Sequence, residues 1–448
     1  MNETKQTTNK KQTVLIVIAV IIVIALIVCF IIAYNNQSAS SKESNTSNNE
    51  SSTQNSLNIT KGGAYEITGN NECIVINTTG SVELDLENAT ISCENGPAIN
   101  IEAASKVNIV LTGENVITST TTEDLDGAIY SKDDLILFGD GSLEVNSNYD
   151  GIVSKDSLTI NSGTYKIEAS DDGIRGKDNV VITGGTFNIT AGADAIKSTN
   201  DEDTEKGYID ISGGTFNINS INDAVQAETN LSISGGTFTI KTTGNTSEDS
   251  AKGLKAGTLI TINGGTYDIN TTDDGIHSNG NIVINKGEIT INSKDDAVHA
   301  DGMVEINNGT LNIIAVEGIE ATYVKINGGT INISASDDGI NAGNKSTAYS
   351  VKIEINGGYI TIKMGQGDTD GIDSNGDLYI TGGTIDITGN SPFDYDGTAK
   401  YTGGTIIVNG TTTNQITNQM MGGDMNGQTP NQGNMNANRG PNQGRAFR

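Results

Sequence analysis

The chain has 448 residues and a formal charge of −29 at pH 7, which argues against nucleic acid as a partner and admits an acidic polymer only through a bridging cation. Trp is absent and aromatic residues are 4% of the chain, which argues against flat Trp platforms for sugar binding. The 55 glycines sit at fixed phase, marking repeated turns and not disorder.

Residues 1–13 carry Lys5, Lys10 and Lys11 ahead of Val14 to Ala33, a run of 20 apolar residues. That run is long enough to cross a bilayer as a helix, and the lysines hold the N-terminus in the cytoplasm. It lacks a small-x-small cleavage site, so it reads as a single-pass signal anchor at the cell membrane, with the rest of the chain outside the cell. Residues 34–56 are Ser, Asn and Thr with almost no apolar side chain; they read as a flexible, solvated spacer. Residues 57–125 alternate apolar and polar in short runs, such as Val82-Glu-Leu-Asp-Leu, and read as the N-terminal cap and first rungs of a solenoid. Cys73 and Cys93 are about one rung apart, so stacking brings them within disulfide range; a disulfide and two stacked thiols both remain open. Cys29 lies in the membrane span.

Residues 126–409 are the regular array. Two beats recur in it: Asp-Asp-Gly-Ile, as at Asp171, Asp273 and Asp337, and Gly-Gly-Thr, from Gly184 to Gly403. Within one rung, Ile174, then Val180 and Ile182, then Phe187 and Ile189 fall at the inward positions of three short period-two strands. Gly184-Gly185 turns the chain between the last two. Three strands per coil of about 22 residues with no helical period predicts an all-β, right-handed parallel β-helix. Tyr165, Phe187, Phe216, Phe238 and Tyr267 read as a core ladder and not a sugar-binding stripe, because each is in phase with inward isoleucines. Polar insertions at Thr199–Lys206, Thr242–Ser250 and Gly343–Ser350 all border the Asp-Gly-Ile strand, as loops walling a groove would. Residues 410–448 are Asn, Gln, Gly and Met without a period and read as a disordered tail.

Two columns carry the chemistry. The first is acidic: Asp126, Asp150, Asp171, Asp172, Asp194, Asp223, Asp273, Asp274, Asp295, Asp296, Asp337, Asp338 and Asp370. Neighbouring rungs place carboxylates about 4.8 Å apart, where two charges repel by about 1 kcal/mol in bulk water and several-fold more near a protein. A hard divalent cation with oxygen ligands relieves that repulsion, which makes this column a candidate Ca²⁺ site. Lys252 fills the slot where an Asp is missing, as an internal counter-charge would. The second column is the outward residue after each Ile. Its members Arg175, Lys197, Gln226, Lys255, His277 and His299 are candidate ligand-binding residues: the strip is basic or amide-bearing, on an acidic protein, beside the Asp column. No residue stands out as catalytic, because equivalent carboxylates single out no acid–base pair.

The Asp-Asp-Gly-Ile and Gly-Gly-Thr-Phe-Asn-Ile beats resemble those of a bacterial family of cell-surface β-helix carbohydrate-binding proteins. The cap adds Val82-Glu-Leu-Asp-Leu-Glu-Asn-Ala-Thr-Ile and Gly96-Pro-Ala-Ile to the likeness, which spans about Asn58 to Asn409. The resemblance implies a fold similar to pectate lyases, bound Ca²⁺, and binding of polygalacturonate or cellulose without established catalysis. It further implies that Asp172, Asp194, Asp274, Asp296 and Asp338 include metal ligands; the Lys252 and Glu317 rungs depart from the pattern. Three functions follow in order: a membrane-anchored, Ca²⁺-dependent, non-catalytic binder of acidic polysaccharide; a polysaccharide lyase with Arg175 or Lys197 as base; and a surface stalk or adhesin.

Overall fold

A strand whose apolar residues alternate can bury only one of its faces, so short strands of this kind must wind around a shared interior. A computed structural model describes residues 56–121, 125, 127–244, 250–365 and 369–418. The apolar run Val14–Ala33, the spacer up to residue 55, the tail beyond 418 and Asp126 lie outside the described residues. Among the described residues there are 42 strands and no helix, joined in one continuous hydrogen-bonded array. The chain forms a parallel β solenoid. Each coil lays its strands beside those of the coil before: Arg175 pairs with Lys197, Val180 with Ile209, and Phe187 with Phe216.

Three faces result, one for each strand of the rung. The first contains Asp150–Ser154, Ile174–Gly176, Ile196–Ser198, Val225–Ala227, Leu254–Ala256 and Ile276–Ser278. The second contains Asn179–Ile182 and its partners, the third Thr186–Ala191 and its partners. Ile174, Val180, Ile182, Phe187 and Ile189 are all buried, while Arg175 stays half-exposed. Burying one such aliphatic or aromatic side chain contributes about 1.5–3 kcal/mol.

The third face packs the aromatic ladder inside. Tyr165, Phe187, Phe216, Phe238 and Tyr267 stack with centroids 5.0, 4.8, 4.6 and 5.0 Å apart and nearly parallel planes. Ile289, Leu311, Ile331, Ile360 and Ile385 continue the column. The Gly-Gly turn before it needs its second glycine. Gly185 has φ +114°, and a Cβ there would lie 3.1 Å from the carbonyl oxygen of Gly163 and 3.1 Å from the Phe187 ring. The glycine of Asp-Gly-Ile has a different reason. A Cβ on Gly173 would meet the Ala195 carbonyl oxygen at 2.6 Å and Ile189 at 2.7 Å.

Amides stack at the corner before the Gly-Gly turn. Asn285 donates to Asn263, Asn307 to Asn285, and Asn327 to Asn307, each at 2.8 Å. An amide has both a donor and an acceptor, so it can bond to a copy of itself. Cys73 and Cys93 form a disulfide, with Cα atoms 5.0 Å apart. At the C-terminal end the parallel ladder stops at Thr405–Val408, which pairs antiparallel with Thr411–Thr413 and so covers an open edge.

Phe216→Ala empties the middle of the aromatic stack and is expected to destabilise the fold by about 3–5 kcal/mol. Thr190→Ala, on the exposed side of the same face, should change stability by less than about 0.5 kcal/mol. Urea denaturation followed by far-ultraviolet circular dichroism checks both; equal midpoints would contradict the packing role.

Candidate functional site

The acidic column begins as a backbone problem. At the corner before the first face, Gly173 and Ile174 donate their N–H groups to the next rung, to the carbonyls of Asp194 and Ala195. The N–H of Asp194 instead bonds back to Asp172 Oδ1 at 3.0 Å. The same bond recurs from Asp172 to Asp150 at 2.9 Å, Asp223 to Asp194 at 2.8 Å, Asp296 to Asp274 at 3.1 Å and Asp370 to Asp338 at 3.1 Å. The Lys252 N–H donates to Asp223 Oδ1 at 2.8 Å, but the Lys252 side chain has no acceptor to offer the next rung. The Asp274 N–H therefore donates to Oδ1 of Asp273, its neighbour in the doublet, at 3.0 Å. Each bond to a carboxylate is worth about 1.5–3 kcal/mol. One oxygen of these Asp side chains thus holds the coil together.

The second oxygen meets the outward column. Arg175 pairs with Asp150 Oδ2 and lies 3.8 Å from Asp172 Oδ2. Lys197 Nζ lies 2.6 Å from Asp194 Oδ2 and 3.6 Å from Asp172 Oδ2. Lys255 reaches Asp223 Oδ2 at 3.0 Å. His277 Nδ1 lies 2.7 Å from Asp274 Oδ2, and His299 Nδ1 lies 2.8 Å from Asp296 Oδ2. Lys252, in the acidic slot, lies 2.5 Å from Asp273 and 3.4 Å from Asp274. The two columns are one ladder of alternating charge. Gln226 stands between Lys197 and Lys255 in register, a half-buried amide in the same strip.

The pairing is uneven, and the carboxyl groups record it. Burial raises the Asp274 carboxyl, but the hydrogen bond from His277 and the charge of Lys252 outweigh it and bring it down to about 2. Burial, with Asp223 next to it, pushes Asp194 up to about 6 despite Lys197. Burial lowers the Lys197 ammonium, yet Asp194 and Asp172 outweigh it and hold it above the usual lysine range.

Three zones follow along the axis. Tyr130 and Val153 make the strip apolar and buried at its start. Arg175 to His299 is the paired zone. Beyond it the outward column becomes Glu320, Asn341, Asp373 and Asp394. Glu320 is paired with Lys345 at 2.8 Å and with His299 at 3.1 Å. Asn341 donates to Glu317 at 2.9 Å and to Glu320 at 3.2 Å. Among the described residues, Asp338 and Asp373 make no ion pair. Burial, then Asp373, Asp337 and Asp370, pushes Asp338 up to about 7. Burial, then Asp370, Asp394 and Asp396, pushes Asp373 up to about 7 as well.

The structure brings the predicted ligand-binding residues onto one strip and joins Arg175, Lys197, Lys255, His277 and His299 to six of the acids predicted as metal ligands, Asp150, Asp172, Asp194, Asp223, Asp274 and Asp296. The first members of the doublets differ from the second: Asp171, Asp295 and Asp337 are exposed, while Asp172, Asp274 and Asp296 are buried. Two all-carboxylate groups have oxygens within 4.8 Å of one another, Asp150 with Asp171 and Asp172, and Asp273 with Asp274 and Asp295. Arg175 and Lys252 already sit on them. The insertions supply residues that the repeat pattern misses. Lys345 comes from Gly343–Ser350. Ser250, at the end of Thr242–Ser250, donates to Asp223 at 2.8 Å and accepts from Lys255 at 3.0 Å. Lys206, from Thr199–Lys206, pairs with Asp178 at 2.5 Å. The only signal for them in the sequence is insertion length beside the Asp-Gly-Ile strand.

Comparison with known proteins places the chain. No curated protein matches it. A solved structure described as the polysaccharide lyase-like protein from C. thermocellum, a gadolinium derivative, is 28% identical, with a TM-score of 0.39, over 52% of this chain and 89% of that one. The profile of the carbohydrate-binding domain-containing proteins matches residues 53–297 and 294–430. The two matched segments span the whole solenoid, and the chain belongs to the family of carbohydrate-binding domain-containing proteins.

Proposed function

We propose that the protein is a membrane-anchored, non-catalytic binder of acidic polysaccharide, that the first face is its binding surface, and that Ca²⁺ assists binding at the C-terminal end of that face. The observation that carries this reading is the unbroken register of half-buried polar side chains from Arg175 to His299. Rungs about 4.8 Å apart repeat donors and acceptors along one line, and a polymer is the ligand that uses such a line. The ammonium, guanidinium and imidazole groups can donate to sugar hydroxyls, and the carboxylates can accept from them. Because the cations are already paired, the strip has little net charge of its own. A polyanion therefore needs an added cation, as the net charge of −29 also requires.

The donor set decides where calcium fits. Over the paired zone, side-chain cations already occupy the second Asp oxygens. At Asp338 and Asp373 the carboxyls crowd one another instead. Hard oxygen donors suit Ca²⁺, and Asp338, Asp373 and Asp394, which make no ion pair among the described residues, would hold it. There it would neutralise the corner and offer free coordination positions to sugar carboxylates. The run Val14–Ala33 would anchor this face outside the cell, at the membrane. The lyase reading lacks a base: Lys197 is held protonated by two carboxylates, and Arg175 is tied to Asp150 and Asp172.

Pull-down of the full chain on polygalacturonate is expected to succeed with Ca²⁺ and to weaken with EDTA. Lys197→Gln should weaken it about ten-fold, the scale of one charged hydrogen bond. No binding in either condition would sink the proposal.

A stability measurement tests the calcium end separately. A carboxyl whose folded pKa is raised holds its proton more tightly in the folded state, so ionising it destabilises the fold. In EDTA, the contribution of Asp338 and Asp373 should fall as pH rises from about 4, the unfolded value, to about 7. Thermal melting should show that loss, reversed by Ca²⁺ at pH 7 and reduced in an Asp338→Asn, Asp373→Asn double variant. Identical profiles for the two proteins, with and without Ca²⁺, would rule the site out.

A further inference from the structure

His277 and His299 are the only two histidines of the chain. They are register partners on adjacent rungs, with ring centroids 4.9 Å apart. Each ring presents Nδ1 to a carboxylate and Nε2 to a separate acceptor. For His277 these are Asp274 Oδ2 at 2.7 Å and Asn279 Oδ1 at 3.0 Å. For His299, Nδ1 lies 2.8 Å from Asp296 Oδ2 and 3.1 Å from Glu320 Oε2, and Nε2 lies 3.7 Å from Asp301 Oδ1.

That arrangement over-supplies one nitrogen. A neutral imidazole carries a single N–H. With the proton on Nε2, the Nδ1 lone pair of His299 would face two carboxylate oxygens, so a cation must lie between them. A proton can do this, but an N–H points along one line and cannot serve both oxygens well. Asp296 and Glu320 are each more than nine-tenths buried, so water does not make up the difference. The geometry points to a binding site for a borderline divalent metal ion of the Zn²⁺ class, held by Asp296 Oδ2, His299 Nδ1 and Glu320 Oε2.

The distances suit such an ion. Tetrahedral ligands at about 2.0–2.2 Å from zinc lie roughly 3.4 Å from one another. The three donor atoms are all within 4.8 Å of each other, so a small outward shift opens the cradle. Asp301, 3.7 Å from Nε2, is the carboxylate that a small ring rotation would bring to the Nε2–H, the outer contact that orients a ligating histidine. An imidazole in the donor set selects Zn²⁺ and its neighbours over Ca²⁺, which takes six to eight oxygens. Lys345 Nζ lies 2.8 Å from the other oxygen of Glu320, Oε1, so Oε2 is the one that faces His299. This site shares His299 with the proposed binding strip but none of its ligands with the calcium end at Asp338 and Asp373.

The test uses the full chain in detergent with Co²⁺ and Zn²⁺ alone as probes. Co²⁺ should give visible d–d bands, saturating at one ion per chain, and Zn²⁺ should abolish them while excess Ca²⁺ does not. Affinity should rise with pH, because the ion replaces a proton on Nδ1. Asp301→Asn should weaken Zn²⁺ about 10- to 100-fold, and His299→Gln at least as much. Glu320→Gln is the second ligand variant, and circular dichroism melting confirms that each variant is folded. Absence of the bands, displacement by Ca²⁺, or wild-type Zn²⁺ affinity in folded His299→Gln or Glu320→Gln would overturn the assignment. Calcium-assisted glycan binding that survives in Asp301→Asn, a residue outside the binding strip, keeps the two metal readings apart.

Discussion

Every side chain of a parallel β solenoid stands about 4.8 Å from its counterpart on the next rung, and the rest of this structure depends on that spacing. For aromatic rings the spacing is a stacking distance. For asparagine it is a hydrogen-bond distance, because one amide donates to the next. For carboxylates it is a repulsion of about 3–4 kcal/mol per neighbour at the effective dielectric of a protein surface. The same geometry that makes the core cheap to extend makes an acidic column costly.

The chain meets that cost within its own backbone and side chains. Oδ1 of Asp150, Asp172, Asp194 and Asp223 accepts an N–H that the strand ladder leaves over. Oδ2 faces Arg175, Lys197, Lys255 or a histidine. Buried pairs of this kind add little net stability over an apolar substitute, but removing one partner is costly. The column is therefore first a structural device. Its compensation ends at the C-terminal rungs, where Asp338 and Asp373 make no ion pair among the described residues, and it is overloaded at His299, where two buried carboxylates meet one nitrogen.

The strip is graded along its length: apolar at Tyr130 and Val153, paired from Arg175 to His299, acidic from Glu320 onward. A shallow depression of about 70 Å³, lined by Val153, Ser154, Lys155, Arg175, Lys177 and Thr199, marks the first boundary. The insertions fall along the paired zone and beyond it, and each adds a polar side chain, Lys206, Ser250 or Lys345, to the corners of this face. A carbohydrate-binding protein gains from such grading, because one scaffold then offers different chemistry to successive units of a polymer.

Period-two alternation and the phase of Gly-Gly-Thr were enough to place Ile174, Val180, Phe187 and Ile189 inside and Arg175 outside, because in a solenoid the repeat itself fixes which residues become neighbours. The sequence alone therefore determined the faces, the aromatic ladder and the membership of both columns. It left the state of Cys73 and Cys93 open, since spacing permits a disulfide without requiring one. It also could not tell what the columns do to each other. Whether Asp194 faces solvent, a metal ion or Lys197 depends on side-chain directions three residues apart at a corner, and on the backbone N–H that happens to lack an acceptor there. Lys345 and Ser250 lie in insertions with no phase, so only the folded loops decide that they reach Glu320 and Asp223. Repetition encodes the ladder; the contacts between ladders belong to the tertiary structure, because they are set by distance and not by period.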